Sequence, residues 1–210
     1  MTQNFRVSFQ ADGAPAPIRL SRHELFPTVI WQARLTQHDG HLAAWCDAVE
    51  AMRAASPEPA GRTNRAGWNS QDNAVLDHGL FAMLGDDVRR VAGGLIREMG
   101  GDDRPFALQS WINMHDRGGF NFLHMHDNVL LSGCFYLRVP PGSGALVFRD
   151  PRPGVLHSPF KGNGPNASKD VRLAPSAGLL VCFPHWLEHY VEPHENDQTR
   201  IAIAFNALVM

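Results

Sequence analysis

Three histidines in the second half of the chain have the spacing of a metal site. His124 and His126 are two residues apart in a segment that leads into an apolar, strand-like stretch at residues 133–137. Side chains alternate between the two faces of a strand, so we expect both imidazoles to point the same way. His189 follows 63 residues after His126. If a second strand brings it alongside, three imidazoles would hold one ion and leave coordination positions open for catalysis.

Three further polar side chains are candidates for binding a cosubstrate beside that ion. Arg200 opens the last predicted strand, and its guanidinium is a rigid fork suited to a carboxylate. Asn113 lies on a predicted inward face, and Tyr136 offers a hydroxyl group. Spacing alone also allows plainer interpretations, in which Arg200 forms a surface ion pair with Asp197 or Glu195 and the other two side chains are structural. A histidine pair on a strand is, likewise, often found without a metal.

The elements that must position these side chains fall into a helical half and a β half. The first half is predicted to hold an extended arm (1–27), a strand (28–35), a helix (38–55) and a loop (56–73). Two further helices are predicted within residues 74–99, separated at residues 85–87. The second half is predicted to hold short strands, with a turn at Gly118-Gly119 and a long loop at residues 151–169: 106–114, 132–139, 145–148, 171–174, 178–183, 189–191 and 200–209.

This arrangement predicts one mainly β domain over residues 1–210, a jelly roll of the cupin-like barrel type with N-terminal supporting helices. Residues 28–103 would support the barrel, and residues 104–210 would form its core. The two long loops, 56–73 and 151–169, would border the mouth of the barrel.

Composition limits the classes of partner. The 210 residues are 44% hydrophobic and 19% charged, which is enough apolar material for a packed core. The net charge of −2 gives no electrostatic reason to expect nucleic acid or an anionic membrane as the main partner. The chain has three widely separated cysteines and no apolar run long enough to span a bilayer. We therefore expect a cytoplasmic protein with free thiols.

Several motifs together resemble the 2-oxoglutarate- and Fe(II)-dependent oxygenases, in particular a bacterial and phage group of 2OG-Fe(II) oxygenases. The resemblance is carried by ordered positions and by longer stretches: Asn113, Gly119, His124-x-His126, Ser132-Gly133-x-x-Tyr136, Pro184-x-x-x-x-His189 and Arg200, with SWIN, HMHDNVLLSGCFYL, GALVFRDPR, LLVCFPHWLEHYVEP and RIAIAFN. It implies a double-stranded β-helix that uses Fe(II) as its metal and 2-oxoglutarate as its cosubstrate.

Position by position, the resemblance implies that His124 and His189 are iron ligands. The carboxylate of the usual HxD motif falls on His126, and Asp127 points away if the strand is regular. Arg200 would bind the distal carboxylate of 2-oxoglutarate, with Asn113 and Tyr136 as further cosubstrate contacts. Three histidines are also a ligand set that suits Zn(II).

Three functions remain open at this point. The favoured hypothesis is an oxygenase that hydroxylates an unidentified small molecule or protein side chain. The second is a cupin-type three-histidine metalloprotein, a dioxygenase or isomerase that does not use 2-oxoglutarate and does not need Arg200. The third is a non-catalytic jelly-roll binding protein whose histidines are incidental.

Overall fold

The computed structural model describes residues 2–6, 19–77, 79–160, 162, 167 and 169–210. Within these residues the chain forms two α-helices and eleven β-strands, nine of which share one sheet. The helices are α1 (Leu42–Ala55) and α2 (Ala82–Glu98), and short 3-10 turns cover Thr36–His41, Val75–Asp77 and Pro153–His157. The strands, in chain order, are β1 Thr2–Arg6, β2 Arg19–His23, β3 Trp31–Arg34, β4 Asn64–Asn69, β5 Phe106–His124, β6 Val129–Arg138, β7 Leu146–Arg149, β8 Asp170–Leu173, β9 Leu179–Phe183, β10 His189–Val191 and β11 Arg200–Val209.

The long strand β5 connects the two parts of the main sheet, whose order is β3-β9-β6-β11-β5-β10-β7-β8. Over its first part β5 pairs with β11, and the register places Arg200 opposite His115. At its end it pairs with β10 and places His189 opposite His124. Its other edge is covered by β4. One strand therefore brings both the arginine and the histidines within reach of the same interior.

Alternation along the central strands separates a helix-packed face from a cavity-lining face. Ile201 and Ile203 of β11 pack in a large core cluster with apolar residues of α1 and α2. Arg200 and Asn206, an even number of residues apart, line the cavity on the opposite face. A second cluster of buried side chains fills the rest of the interior: Tyr136, Leu146, Phe148, Leu173, Leu179, Val181, Phe183, Leu187 and Ala202.

The predicted break at residues 85–87 is wrong, because α2 runs without interruption from Ala82 to Glu98. Gly85 is inside the helix, where a Cβ atom would collide with the carbonyl oxygen of Leu76. This glycine therefore allows close packing against the preceding 3-10 turn and does not end the helix. The two helical segments separate earlier, between Val75–Asp77 and the start of α2.

Two predictions about the edge of β5 are also wrong. The predicted loop at residues 56–73 contains β4, and the predicted turn at Gly118-Gly119 lies within β5. Gly118 has a φ of +79°, a backbone conformation that favours glycine. The pairing of β4 with β5 also shifts in register between Arg65 and Gly67. The strand thus continues through a bulge, and its second half pairs with β10.

The arm predicted at residues 1–27 is, where the structure describes it, a two-stranded antiparallel sheet of β1 and β2. The remaining residues of that prediction, 1 and 7–18, lie outside the described residues. So do residue 78 of the predicted helices and residues 161, 163–166 and 168 of the predicted loop at 151–169. None of the helices in the described part of the chain has the length and apolar character needed to cross a membrane.

Candidate metal centre and cosubstrate cavity

His124, His126 and His189 come together at the end of the barrel, with one nitrogen from each ring within 4.8 Å of the others. The ring centroids of His124 and His189 are 4.3 Å apart, and that of His126 lies 5.1 and 5.2 Å from them. His124 is the last residue of β5, and His189 is the first of β10. His126 was expected on the same strand, but it lies just beyond the end of β5.

Backbone contacts hold His126 in place although it is outside a strand. Its N–H donates to the carbonyl oxygen of His185 at 3.0 Å. In return, Nδ1 of the His185 ring donates to the carbonyl oxygen of His126 at 2.9 Å. This reciprocal pair ties the segment after β5 to the turn before β10. The segment that carries His126 is thereby fixed to the turn that precedes His189.

The proton positions on His124 and His189 suit metal binding. Nδ1 of His124 is 2.7 Å from the carbonyl oxygen of Phe122, and Nδ1 of His189 is 2.9 Å from that of Leu187. A carbonyl oxygen can only accept, so each Nδ1 carries the proton and each Nε2 keeps its lone pair. Second-shell contacts of this kind fix the tautomer and orientation of metal-binding imidazoles.

The third histidine has a side-chain partner in place of a carbonyl group. The amide of Asn206 lies 3.3 Å from Nδ1 of His126, and the Ser132 hydroxyl contacts the other end of that amide at 2.8 Å. A half-turn of the amide exchanges its oxygen and nitrogen. In the structure the amide nitrogen of Asn206 faces Nδ1 of His126. Only with the amide turned, so that its oxygen faces the ring, would Asn206 accept the Nδ1 proton and leave Nε2 free, as in the other two histidines.

All three imidazoles are neutral at physiological pH. Burial, followed by the charge of neighbouring histidines, lowers the pKa of His126 to about 4 and that of His189 to about 3. Burial also lowers the pKa of His124. Neutral imidazole is the form that binds a metal, so the cluster needs to release no proton from these rings to take up an ion near pH 7.

Arg200 is buried in the same cavity without a carboxylate partner among the described residues. Its side chain is 3% exposed, its Nη1 donates to Nδ1 of His115 at 2.7 Å, and its Nε has no partner. The plainer interpretation, a surface ion pair with Asp197 or Glu195, is wrong because Arg200 is buried, and Asp197 pairs with Arg117. Burial and the Arg200 charge lower the pKa of His115 to about 3, so this imidazole is a neutral acceptor.

Asn113 and Tyr136 line the cavity near Arg200, and for Asn113 this is the inward position that alternation predicted. The Tyr136 hydroxyl is fully buried and has no hydrogen-bond partner among the described residues, and the Arg200 guanidinium lies 5.1 Å from the centre of its ring. Burial raises the pKa of Tyr136, which keeps the hydroxyl protonated as a donor. Asn69 donates to the Asn113 side-chain oxygen, so the Asn113 NH₂ group is free to donate to a ligand.

The cavity that joins these groups has a volume of about 310 Å³. Its described lining contains two arginines, Arg62 and Arg200, and no aspartate or glutamate. Asp127 is exposed and lies outside the histidine cluster, so no carboxylate among the described residues completes the metal site. Ala202 also lies among the lining residues.

Comparison with known families identifies this site. Residues 109–206 match the sequence profile of the family described as "Putative 2OG-Fe(II) oxygenase". The matched stretch contains Asn113, Arg200 and all three clustered histidines. Through this stretch, the chain is similar to the 2OG-Fe(II) oxygenase family. The resemblance predicted from the sequence is therefore confirmed over these residues, whereas no curated protein matches the chain in sequence.

Solved structures of 2OG-Fe(II) oxygenases share the fold. A prolyl-4-hydroxylase of Pseudomonas putida aligns over 87% of this chain and 94% of its own, with a TM-score of 0.60 and 17% identity. HygX of Streptomyces hygroscopicus, with nickel, 2-oxoglutarate and hygromycin B bound, aligns over 87% of this chain and 84% of its own, with a TM-score of 0.61 and 12% identity. A prolyl hydroxylase of Trichoplax adhaerens in complex with a peptide fragment aligns over 86% of this chain and 83% of its own, with a TM-score of 0.58 and 13% identity. The predicted double-stranded β-helix is thus confirmed.

Three polar residues around the site were not singled out from the sequence, and Ser132 was noted only as a motif position. His115 and Asn206 could have been found by alternation, since they share strand faces with Asn113 and Arg200. Arg62 carries no such signal, because its role depends on a contact with Trp111, which is distant in the chain.

Proposed function

We propose that this chain is a 2-oxoglutarate-dependent oxygenase in which His124, His126 and His189 hold Fe(II). The observation that carries the proposal is the presence, in one cavity, of three neutral imidazoles and a buried arginine with no carboxylate partner. A metal bound only by the three rings keeps coordination positions for other molecules. The arginine supplies what a dicarboxylic cosubstrate requires at its far end.

Bound Fe(II) would couple the oxidative decarboxylation of 2-oxoglutarate, which gives succinate and CO₂, to oxidation of a substrate C–H bond. The protein's own contribution is to bind, orient and exclude water. Arg200 binds the distal carboxylate of 2-oxoglutarate, with the Tyr136 hydroxyl and the Asn113 NH₂ group as neighbouring donors. His115 positions the guanidinium by accepting a hydrogen bond from its Nη1.

The replacement of a carboxylate ligand by His126 changes the charge of the centre. With three neutral ligands, Fe(II) retains a charge of +2, which the 2-oxoglutarate dianion would neutralise. An inner cavity that contains arginine but no described acidic side chain strengthens this attraction. We infer that iron retention depends on the cosubstrate more than it would in a site with a carboxylate ligand.

The first test is anaerobic titration of metal-free protein with Fe(II) and then 2-oxoglutarate, followed by admission of O₂ and measurement of succinate. The expected result is binding of one iron and one 2-oxoglutarate, with slow succinate formation even without a substrate. Arg138→Met is a matched control, because Arg138 lies on a neighbouring strand and pairs with Glu50 outside the cavity. Iron uptake without 2-oxoglutarate binding would overturn the proposal and favour a cupin-type three-histidine protein. Absence of any metal uptake would favour a non-catalytic binding protein.

We further propose that the oxidised substrate is a small molecule or a protein side chain. Structural relatives support both, since one has hygromycin B bound and another is in complex with a peptide. All three cysteines are free thiols, which supports the proposed cytoplasmic location. Product analysis after incubation with a cytosolic extract, with and without 2-oxoglutarate, would identify the substrate class.

A further inference from the structure

A second arginine, Arg62, faces the cavity at a place distinct from the Arg200 site. It lies just before β4, and its guanidinium carbon is 4.6 Å from the centre of the Trp111 ring. The Trp111 ring in turn lies 6.3 Å from the ring of His126. The indole is therefore a neighbour of both this arginine and His126, whereas Arg200 lies beside Tyr136.

Arg62 has no carboxylate partner within the described residues. Its Nη2 donates to the side-chain oxygen of Asn73, and its buried Nε has no partner. Other arginines of the chain are satisfied differently: Arg53 and Arg138 reach a carboxylate at 2.7 and 2.6 Å. A buried N–H without an acceptor is costly, so its presence beside a cavity indicates a ligand that supplies one.

The Trp111 ring holds this guanidinium in place. A cation over an indole face is attracted electrostatically, and the N–H groups of a guanidinium lie in one plane. Planar, pre-oriented N–H donors match the paired oxygens of a carboxylate or a phosphate. Because no acidic side chain of the described lining competes for them, the site is selective for negative charge.

We propose that Arg62, held by Trp111, binds a carboxylate or phosphate group of the molecule that is oxidised, and so selects an anionic substrate. This inference rests on the proposed function, in which Arg200 and the metal hold 2-oxoglutarate. Two guanidinium groups in separate parts of one cavity then serve two different anions. The reacting C–H bond lies between the anchored anion and the histidine cluster.

The test measures anion binding at Arg62 directly, by NMR of the arginine Nε–H groups in ¹⁵N-labelled protein loaded with Zn(II) and 2-oxoglutarate. Propionate, phosphate and the neutral isostere propionamide are the probes. Arg62→Gln assigns the resonance. Arg65→Gln is the matched control, because Arg65 is exposed, stacks on Phe122 and does not line the cavity.

The expected result is a saturable shift of the Arg62 resonance with propionate or phosphate, unchanged by propionamide and retained in Arg65→Gln. The probe that saturates at lower concentration identifies the anionic group. Once a substrate is known, Arg62→Gln should raise its KM roughly 10–100-fold, as expected for a lost charge-assisted hydrogen bond, with 2-oxoglutarate affinity unchanged.

Three outcomes would overturn the proposal: no saturable shift, equal shifts at Arg62 and Arg65, or a shift of Arg62 on addition of 2-oxoglutarate alone. The last would make Arg62 a cosubstrate contact. The Arg200 resonance reports separately on the proposed function. If Arg200 does not respond to 2-oxoglutarate, the proposed function fails whatever Arg62 does.

Discussion

Replacing Arg200 by methionine should strongly weaken 2-oxoglutarate binding at little cost to the stability of the metal-free protein. The guanidinium is 3% exposed and has no carboxylate partner among the described residues, so the protein pays to bury it. An apolar side chain of similar length removes that cost. The loss of a hydrogen bond to His115 opposes the gain by about 1–3 kcal/mol. The two effects nearly cancel.

The binding effect is much larger. Two charge-assisted hydrogen bonds to a carboxylate contribute about 3 kcal/mol or more, so the dissociation constant should rise roughly 150-fold. At a cosubstrate concentration of about 100 times the dissociation constant, binding stabilises the wild-type protein by about 2.7 kcal/mol. For a domain of this size, that is a rise in Tm of roughly 5–11 °C. Arg200→Met should show a rise of only about 1 °C at the same concentration.

The assay is thermal unfolding of the Zn(II)-loaded protein with and without 2-oxoglutarate, together with urea unfolding of the metal-free protein. Arg138→Met is again the control: it should lose about 1 kcal/mol through its pair with Glu50 and keep the full cosubstrate-dependent rise in Tm. A full rise in Tm for Arg200→Met would refute the assignment of the carboxylate site. Destabilisation of its metal-free form by several kcal/mol would refute the view that the arginine is retained for binding.

Four further substitutions test the supporting structure. Asn206→Leu removes the polar partner of His126 and should weaken Fe(II) binding roughly 10–100-fold in competition with a chelator, with an unchanged circular dichroism spectrum. Burial lowers the pKa of His115 to about 3, so the folded protein loses stability as the pH falls from about 6.5 toward that value. In urea titrations, His115→Gln should reduce the slope of the free energy of unfolding against pH by roughly 1.4 kcal/mol per pH unit. Within α2, Gly94→Ala should stabilise the protein by about 0.5–1 kcal/mol because a Cβ there meets nothing, whereas Gly85→Ala should destabilise it by about 1–3 kcal/mol.

Each of these expectations has a contrary result. Unchanged iron affinity in Asn206→Leu would show that backbone contacts alone orient His126. Parallel pH curves for the wild-type protein and His115→Gln would show that this imidazole is protonated while buried. A stabilising Gly85→Ala would show that α2 can move away from the preceding turn without cost.

The ligand-bearing strands were predictable because their patterns are local. Alternation placed Asn113 on an inward face, and the structure puts it in the cavity with Arg200 and Tyr136. The start of β10 at His189 and of β11 at Arg200 also followed from composition and turn residues. The alternation of side chains along a strand can be predicted from the sequence because one face of each strand must pack against the core.

The errors arose where tertiary contacts override local preference. The segment Asn64–Asn69 is polar and contains a glycine, yet it is a strand because β5 offers it an edge. Gly85 resembles a helix end in sequence but is required for close packing against Leu76. Asn206 contacts His126 and is held by Ser132, which is 74 residues away from it, and no local pattern joins these residues.

The central claim is that three imidazoles, with no protein carboxylate, hold the iron that binds 2-oxoglutarate. X-ray absorption spectroscopy of the anaerobic Fe(II)–2-oxoglutarate complex, compared between the wild-type protein and His126→Ala, tests it most directly. We expect scattering from three imidazole rings in the wild-type protein and from two in the variant. Two rings in both proteins, with a protein carboxylate such as Asp127 in the remaining position, would contradict the account.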